Sequence, residues 1–351
     1  MSTVTDPRAK RKVKNVRTAL LPAYDLDAMF ERFYHAKSSE GLAIKTLKSY
    51  RDNYAFFCRF LDIRKIYRDI RNVTPDVLRD YMSYMLRDKI RFEECGKFAP
   101  ESSKTAGLSA TTVNIRLKPL RTMFRFLKSE GIIEIDPTEN VKRATEEEKK
   151  IDIMNVEQIR ALLNAPDQRT YAGFRDFVLM NVLIDTFARI SETLAIKTSQ
   201  VDFSLGMIFF PAPNTKGKRD NSVPITPNTQ RLIKALIKEN EDMDSEYLFL
   251  ANYGEPLTDN HFRHRLQDHV KKARLDIRVH PHLFRHSGAT MFLENGGDIR
   301  HLAKILNHKD LRIVTRYTHL SDSSIKRQHD QYSPMNDIVG KLNRERKINR
   351  L

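Results

Sequence analysis

The sequence predicts a mainly α-helical protein of two domains, the second carrying one small β-sheet. Three observations point there. Apolar residues recur at three- and four-residue steps through most of the chain, the spacing of a buried helix face. One stretch, 201–225, places two short apolar runs on either side of a polar turn, the pattern of a hairpin. Residues 139–150 are highly charged and almost devoid of apolar side chains, the composition of a segment between domains.

The 351 residues suffice for two hydrophobic cores. Residues 1–23 include a basic arm, 8–17, with no apolar periodicity, expected as a solvated tail or a phosphate-contacting arm. A first domain is expected over 24–138. In it, Leu26, Met29, Phe30 and Phe33 share one helix face, and Leu47, Tyr50, Tyr54, Phe57 and Leu61 share the next. Thr74-Pro75 reads as an N-cap with proline at the first helical position. The helix it opens would bury Val77, Leu78, Tyr81, Met85 and Leu86. Residues 91–107 read as a loop or an insertion. A long helix follows from about 109 to 129, with Val113, Leu117, Leu120, Phe124 and Leu127 inward and Gly131 suited to its end.

The linker is expected at 139–152 and a second domain at 153–330. Asn155 can cap a helix carrying Ile159 and Leu162, and the apolar run 174–187 reads as a core helix. The hairpin comes next. Residues 226–270 are expected to be helical around a loop at 252–256, with His261, Arg263, His264, Arg265 and His269 as surface groups. A polar helix is expected at 322–329. Pro334 interrupts it, and 331–351 form a tail with a further helix from 335.

The net charge of +16 and pI of about 9.7 favour a polyanionic partner, nucleic acid ahead of an anionic membrane surface. No apolar run is long enough to span a bilayer, and the first residues lack the apolar core of a signal peptide. Cys58 and Cys95 stand in no metal or redox spacing, so the reducing cytoplasm is the expected location.

The chemistry gathers late in the chain. His280-Pro-His282-Leu-Phe-Arg285-His286 is followed by Leu306-Asn307-His308 and then by Arg316-Tyr317-Thr318-His319. Arginine, histidine and tyrosine without an acidic cluster suit an anion. The guanidinium fork matches phosphate oxygens and keeps its charge, and a tyrosine can be a nucleophile. A metal enzyme using His280, His282, His286 and His308 would lack carboxylate or thiolate partners, and the neighbouring arginines would repel the cation. No metal and no cofactor is expected.

At these residues the chain resembles the phage-integrase family, the tyrosine recombinases. His282-Leu-Phe-Arg285-His286 is similar to the family's His-x-x-Arg-His box. Leu306-Asn307-His308 resembles its Leu-Gly-His box, with asparagine at the glycine. Phe187-Ala-Arg189-Ile-Ser191-Glu192 resembles its Gly-x-Arg-x-Ser-Glu box, with Phe187 at the glycine, a departure that points to an altered turn before Arg189. The resemblance implies a helical, SAM-like core-binding domain, an α-rich catalytic domain with a small sheet, and a C-shaped clamp around DNA.

It also implies roles. Tyr317 would be the nucleophile. Arg189 and Arg285 would clamp the scissile phosphate, His282 would take the tyrosine proton, and His308 would donate to a phosphate oxygen. The hairpin lysine, Lys216 or else Lys218, would protonate the leaving 5′ hydroxyl. Glu192 and His286 would orient their neighbours. Lys45, Arg51, Thr111, Thr112, Asn114, Arg116 and Lys218 are the DNA-contact candidates, although any single one of them reads equally as a solvated helix face. The implied partners are double-stranded DNA with specific recombination sites and three further copies of the chain in a tetramer that exchanges its terminal tail. The implied task is integration or transposition of a mobile element. Rival readings are a type IB topoisomerase, a chromosome or plasmid resolution enzyme, and a DNA-binding protein without catalysis.

Overall fold

A computed structural model describes residues 24–93, 103–147, 152–215, 219–308, 310–315 and 322–339. The basic arm, Lys216, Lys218, Tyr317 and residues 340–351 lie outside the described residues. The chain divides into two compact units after Lys149.

The first unit is built on α1 (Leu26–Ser39), α2 (Ile44–Ile63), α3 (Pro75–Ser83) and α4 (Ala110–Ser129). Their starts are set by side chains that satisfy otherwise unpaired backbone N–H groups. Asp25 accepts from Ala28 N, Thr74 from Val77 N with Pro75 behind it, and Ser109 from Thr112 N. Phe33, Phe57, Phe60, Leu78, Tyr81 and Phe124 are wholly buried between the helices, and the Phe30 and Tyr54 rings stack with centroids 3.9 Å apart.

Two expectations change here. Leu86 was expected to continue the buried stripe but is exposed. After Ser83 the helix widens into a π-turn, Tyr84–Asp88, closed by Lys89 N on Tyr84 O. One extra residue per turn rotates Leu86 off the apolar face. The stretch read as linker is also not free in its first half. Val141 is buried in the first core, and its carbonyl accepts from Arg121 Nη2 at 2.6 Å.

The second unit runs α5 (Val156–Leu163), α6 (Tyr171–Thr186), α7 (Ile190–Leu194), then strands β1 (Val201–Asp202), β2 (Met207–Phe210) and β3 (Asn221–Pro224). The strands are antiparallel in the order β1-β2-β3, with Ile208 opposite both Val201 and Val223. Those three side chains, all buried, face the core while Phe209 and Ser222 face out, as period-two alternation requires. The helices α8 (Pro227–Glu239), α9 (Asp259–Lys272), α10 (Pro281–Glu294), α11 (Ile299–Ile305), α12 (Leu311–Val314), α13 (Asp322–Tyr332) and α14 (Met335–Val339) follow. Among the described residues no helix is long and apolar enough to cross a membrane.

The main core joins α6, the sheet, α9 and α10 through Leu179, Leu183, Ile208, Phe262 and Phe284. A smaller cluster under α10 and α11 holds Phe187, Ala289, Leu293, Leu302, Leu306 and Val314. His261 and His264 lie on the surface as expected, but His269 does not: it is buried. Its Nε2 lies 2.9 Å from Asp176 Oδ2, and Arg265 is bound to the same oxygen. The acid on α6 gives the buried imidazole a partner at Nε2.

Candidate active site

Two left-handed residues shape the site. At the end of α6, Phe187 takes φ +54°. The chain then reverses, and Arg189 starts α7. The backbone N of Arg189 donates to Glu192 Oε2 at 3.1 Å and its Nη1 to Oε1 at 2.9 Å. One carboxylate therefore caps the helix and aims the guanidinium. A phenylalanine in this conformation costs about 1–2 kcal/mol. It is tolerated because the ring is buried in the smaller cluster and because α10 presents Gly288 beneath it. A Cβ at Gly288 would stand 2.5 Å from Phe187 Cε1. The turn expected to be altered keeps a glycine-like backbone, with the space for the ring taken from the facing helix.

The second left-handed residue is Asn307, at φ +52°. Its N donates to Lys304 O and the His308 N to Ala303 O. These are the paired bonds of a Schellman cap, which demands a left-handed residue between helix end and exit. Asparagine is the side chain other than glycine that visits this region most readily. The cap delivers His308 to Arg285.

Arg285, buried on α10, collects the surrounding turns. Its Nη1 donates to Phe187 O at 2.6 Å and its Nη2 to Leu306 O at 2.9 Å. Nη2 also lies 2.9 Å from His308 Nε2. The carbonyls of the two left-handed turns thus fix one guanidinium. His282 is one helical turn earlier, with its ring reaching solvent. Desolvation lowers its pKa below the ordinary 6.5, and so do the nearby His280 and the guanidiniums of Arg285 and Arg189. The shift favours the neutral imidazole, the form able to accept a proton. His286 is half-buried beside Arg285.

Arg189, His282, Arg285 and His308 are therefore gathered around one place. Lys216 and Tyr317 lie outside the described residues, but the chain on either side of Lys216 is anchored. Thr215 Oγ1 donates to Arg219 O at 2.8 Å and accepts from Arg219 N at 3.0 Å. Among the described residues no group of three or more His, Cys, Asp or Glu side chains could hold a metal ion.

The DNA-contact candidates of the first unit fare differently from one another. Lys45 is exposed. Arg51 lies over the Tyr34 ring at 4.2 Å, and Arg116 lies 3.7 Å from the Phe56 centroid. Thr112 Oγ1 is 2.9 Å from Ser109 Oγ. Thr111 Oγ1 donates to Glu146 Oε2 at 2.6 Å and Asn114 Nδ2 to Glu146 Oε1 at 2.7 Å, so both hold the acidic segment that follows the domain. The sequence reading passed over Gly288 and Asn221. Gly288 follows the His-x-x-Arg-His box by two residues, so a small residue facing the turn was the available signal. Asn221 Nδ2 donates to Ile305 O at 3.1 Å, a contact across 84 residues that leaves no local signal.

Two family profiles match the chain. The one described as the phage integrase family covers residues 152–324, and the phage integrase SAM-like domain covers 26–144. The chain belongs to the tyrosine recombinases. Tyrosine recombinase XerD of Listeria monocytogenes is 24% identical over 316 residues, 88% of this chain and 99% of the relative. XerC of Bacillus subtilis is 28% identical over 294 residues, 79% and 95% respectively. In fold, the Tn1549 transposon integrase in complex with a circular intermediate DNA aligns with a TM-score of 0.67 at 16% identity, over 88% of this chain and 100% of that one. A mainly helical tyrosine recombinase with a SAM-like first unit and a small three-stranded sheet in the second accounts for the architecture, and the enzyme class is that of DNA strand cleavage and rejoining.

Proposed function

We propose that this recombinase acts through a covalent 3′-phosphotyrosyl bond made by Tyr317. The observation that supports this most is the convergence of Arg189, Arg285 and His308 beside His282, whose pKa desolvation and the guanidiniums lower. Phosphoryl transfer asks for charge stabilisation, an aligned nucleophile and a proton for the leaving oxygen. Arg189 and Arg285 hold the non-bridging oxygens, and His308 donates to one of them. The Tyr317 oxygen attacks phosphorus as His282 takes its proton. The phosphorus–O5′ bond breaks, and Lys216 gives its proton to the departing 5′ hydroxyl. A 5′ hydroxyl from a second duplex reverses the step. Bond energy is conserved in the phosphotyrosine, so neither ATP nor metal enters the balance.

The partners in this reading are double-stranded DNA carrying specific sites and three further copies of the chain. Lys45, Arg51, Arg116, Thr111, Thr112, Asn114 and Lys218 contact DNA, and Glu192 and His286 orient the clamp. The finer role is movement of a mobile element, in the cytoplasm. The domain division is a core-binding unit over 24–138, with the stretch around Val141 packed onto it, and a catalytic unit over 153–330.

A nicked duplex that traps the intermediate tests the chemistry. A covalent adduct is expected with the natural chain and none with Tyr317→Phe. An adduct that survives this substitution overturns the assignment.

A further inference from the structure

We infer that Asn307 is a positioning residue that couples the Arg285–His308 pair to the hairpin carrying the general acid. The inference rests on the reading of Lys216 as that acid. Asn307 occupies a left-handed cap position at φ +52°, where glycine satisfies the backbone equally well. The asparagine brings something glycine lacks. Its Nδ2 donates to Arg219 O at 3.3 Å.

That carbonyl also accepts from Thr215 Oγ1, and Thr215 is buried. Thr215 and Arg219 bracket Lys216 in the chain, so the bond from Asn307 lands on a carbonyl that Thr215 also holds. A second bond runs the other way, from Asn221 Nδ2 on β3 to Ile305 O at the end of α11. Asp220 Oδ1 accepts from Ala212 N at 2.7 Å and ties the two arms of the hairpin together. Two asparagine amides thus clasp the hairpin to the turn that presents His308, which lies 2.9 Å from Arg285 Nη2. The turn that presents His308 and the described arms of the hairpin, at Thr215 and at Arg219 to Asn221, then share one frame. Proton transfer is sensitive to such placement because donor and acceptor must come within hydrogen-bond reach.

Asn307→Gly separates this role from the cap, since the backbone conformation is retained. Asn307→Asp, which keeps the shape but not the donor, controls for the entropy of glycine. Single-turnover cleavage is measured on two substrates, one with the natural 5′ oxygen and one with sulfur in its place. A thiolate leaves without a proton because a thiol is far more acidic than an alcohol. On the oxygen substrate Asn307→Gly and Asn307→Asp are expected to slow cleavage by about three- to tenfold, the worth of one hydrogen bond. On the sulfur substrate both are expected to cleave at the natural rate. Lys216→Ala is expected to be slower still on oxygen and restored on sulfur.

Equal slowing of Asn307→Gly on both substrates, or none on either, overturns the inference while leaving Lys216 in place. Failure of sulfur to restore Lys216→Ala overturns the general-acid reading, and the inference with it.

Discussion

Two arginines of the second unit are buried to a similar degree and are held in opposite ways. Arg175 on α6 is fully enclosed and gives Nε and Nη2 to the carboxylate of Asp176, at 3.0 and 2.7 Å, with Nη1 on Leu250 O. Burial resists ionisation of Asp176, but the bond from His269 and the charges of Arg175 and Arg265 outweigh it and keep the carboxyl below its ordinary range. Arg285 instead rests on the carbonyls of Phe187 and Leu306. The acid beside Arg175 lies on the same helix, whereas the carbonyls on Arg285 come from the two left-handed turns that end α6 and α11. The first arrangement completes a core; the second ties together the turns around the candidate site.

Breaking the first arrangement has the larger expected effect on folding. Arg175→Met leaves Asp176 buried with less compensation and should lower stability by about 3–5 kcal/mol, the usual result of removing one member of a buried ion pair. Denaturant unfolding measures it, and a loss below about 1 kcal/mol would show that Asp176 is satisfied by Arg265 and His269 alone. Arg285→Lys should do the reverse. The charge stays while the fork that reaches two carbonyls and His308 is lost. Cleavage should fall by about 10²–10³, as when one donor to developing charge is removed elsewhere, with little change in DNA affinity. A parallel loss of affinity would mean that Arg285 binds the ground state as much as the transition state.

The two arginines were also unequally legible. The boxes around Arg189, Arg285 and His308 can be read because each is a local device: a carboxylate at i+3 capping a helix, residues one turn apart on α10, a Schellman cap ending α11. What holds them together cannot be read, since Phe187 is 98 residues from Arg285 and Asn307 is 88 from Arg219. The ion network was legible in principle and was missed. Phe262, Leu266, His269 and Val270 fall on one face of α9 at helical spacing and all are buried, so His269 belonged to that face. Its position among charged neighbours hid this. Leu86 failed for another reason, because spacing arguments assume 3.6 residues per turn and the π-turn at Tyr84–Asp88 breaks that count.

Phe187 sharpens the comparison at the level of the backbone that orients Arg285. Substituting glycine, the residue usual in the family, relieves about 1–2 kcal/mol of left-handed strain. It also removes a ring buried against Phe292, whose centroid is 6.1 Å away, worth about 3–5 kcal/mol. The ring wins, so Phe187→Gly should destabilise by about 1–4 kcal/mol, read as a fall in Tm. A rise in Tm would show that the strain exceeds the packing.

The smallest expected effect lies in the pH dependence. If His282 is the base proposed above, its titration sets the acid limb of cleavage. Desolvation, His280 and the guanidiniums of Arg285, Arg189 and Arg263 lower its pKa below 6.5, so the neutral base persists to a lower pH than an ordinary histidine would allow. The midpoint of the acid limb of the single-turnover rate should therefore lie below pH 6.5; a midpoint at or above 6.5 would show that the site does not favour the neutral imidazole. Stability shifts in the same sense, because an unfolded chain takes up the proton at 6.5 before the folded one does. Arg189→Gln removes one of the charges acting on His282, so the midpoint of the acid limb should move towards 6.5 in the activity that remains. A midpoint that does not move would show that the charge of Arg189 does not reach His282 and that the two are electrostatically independent.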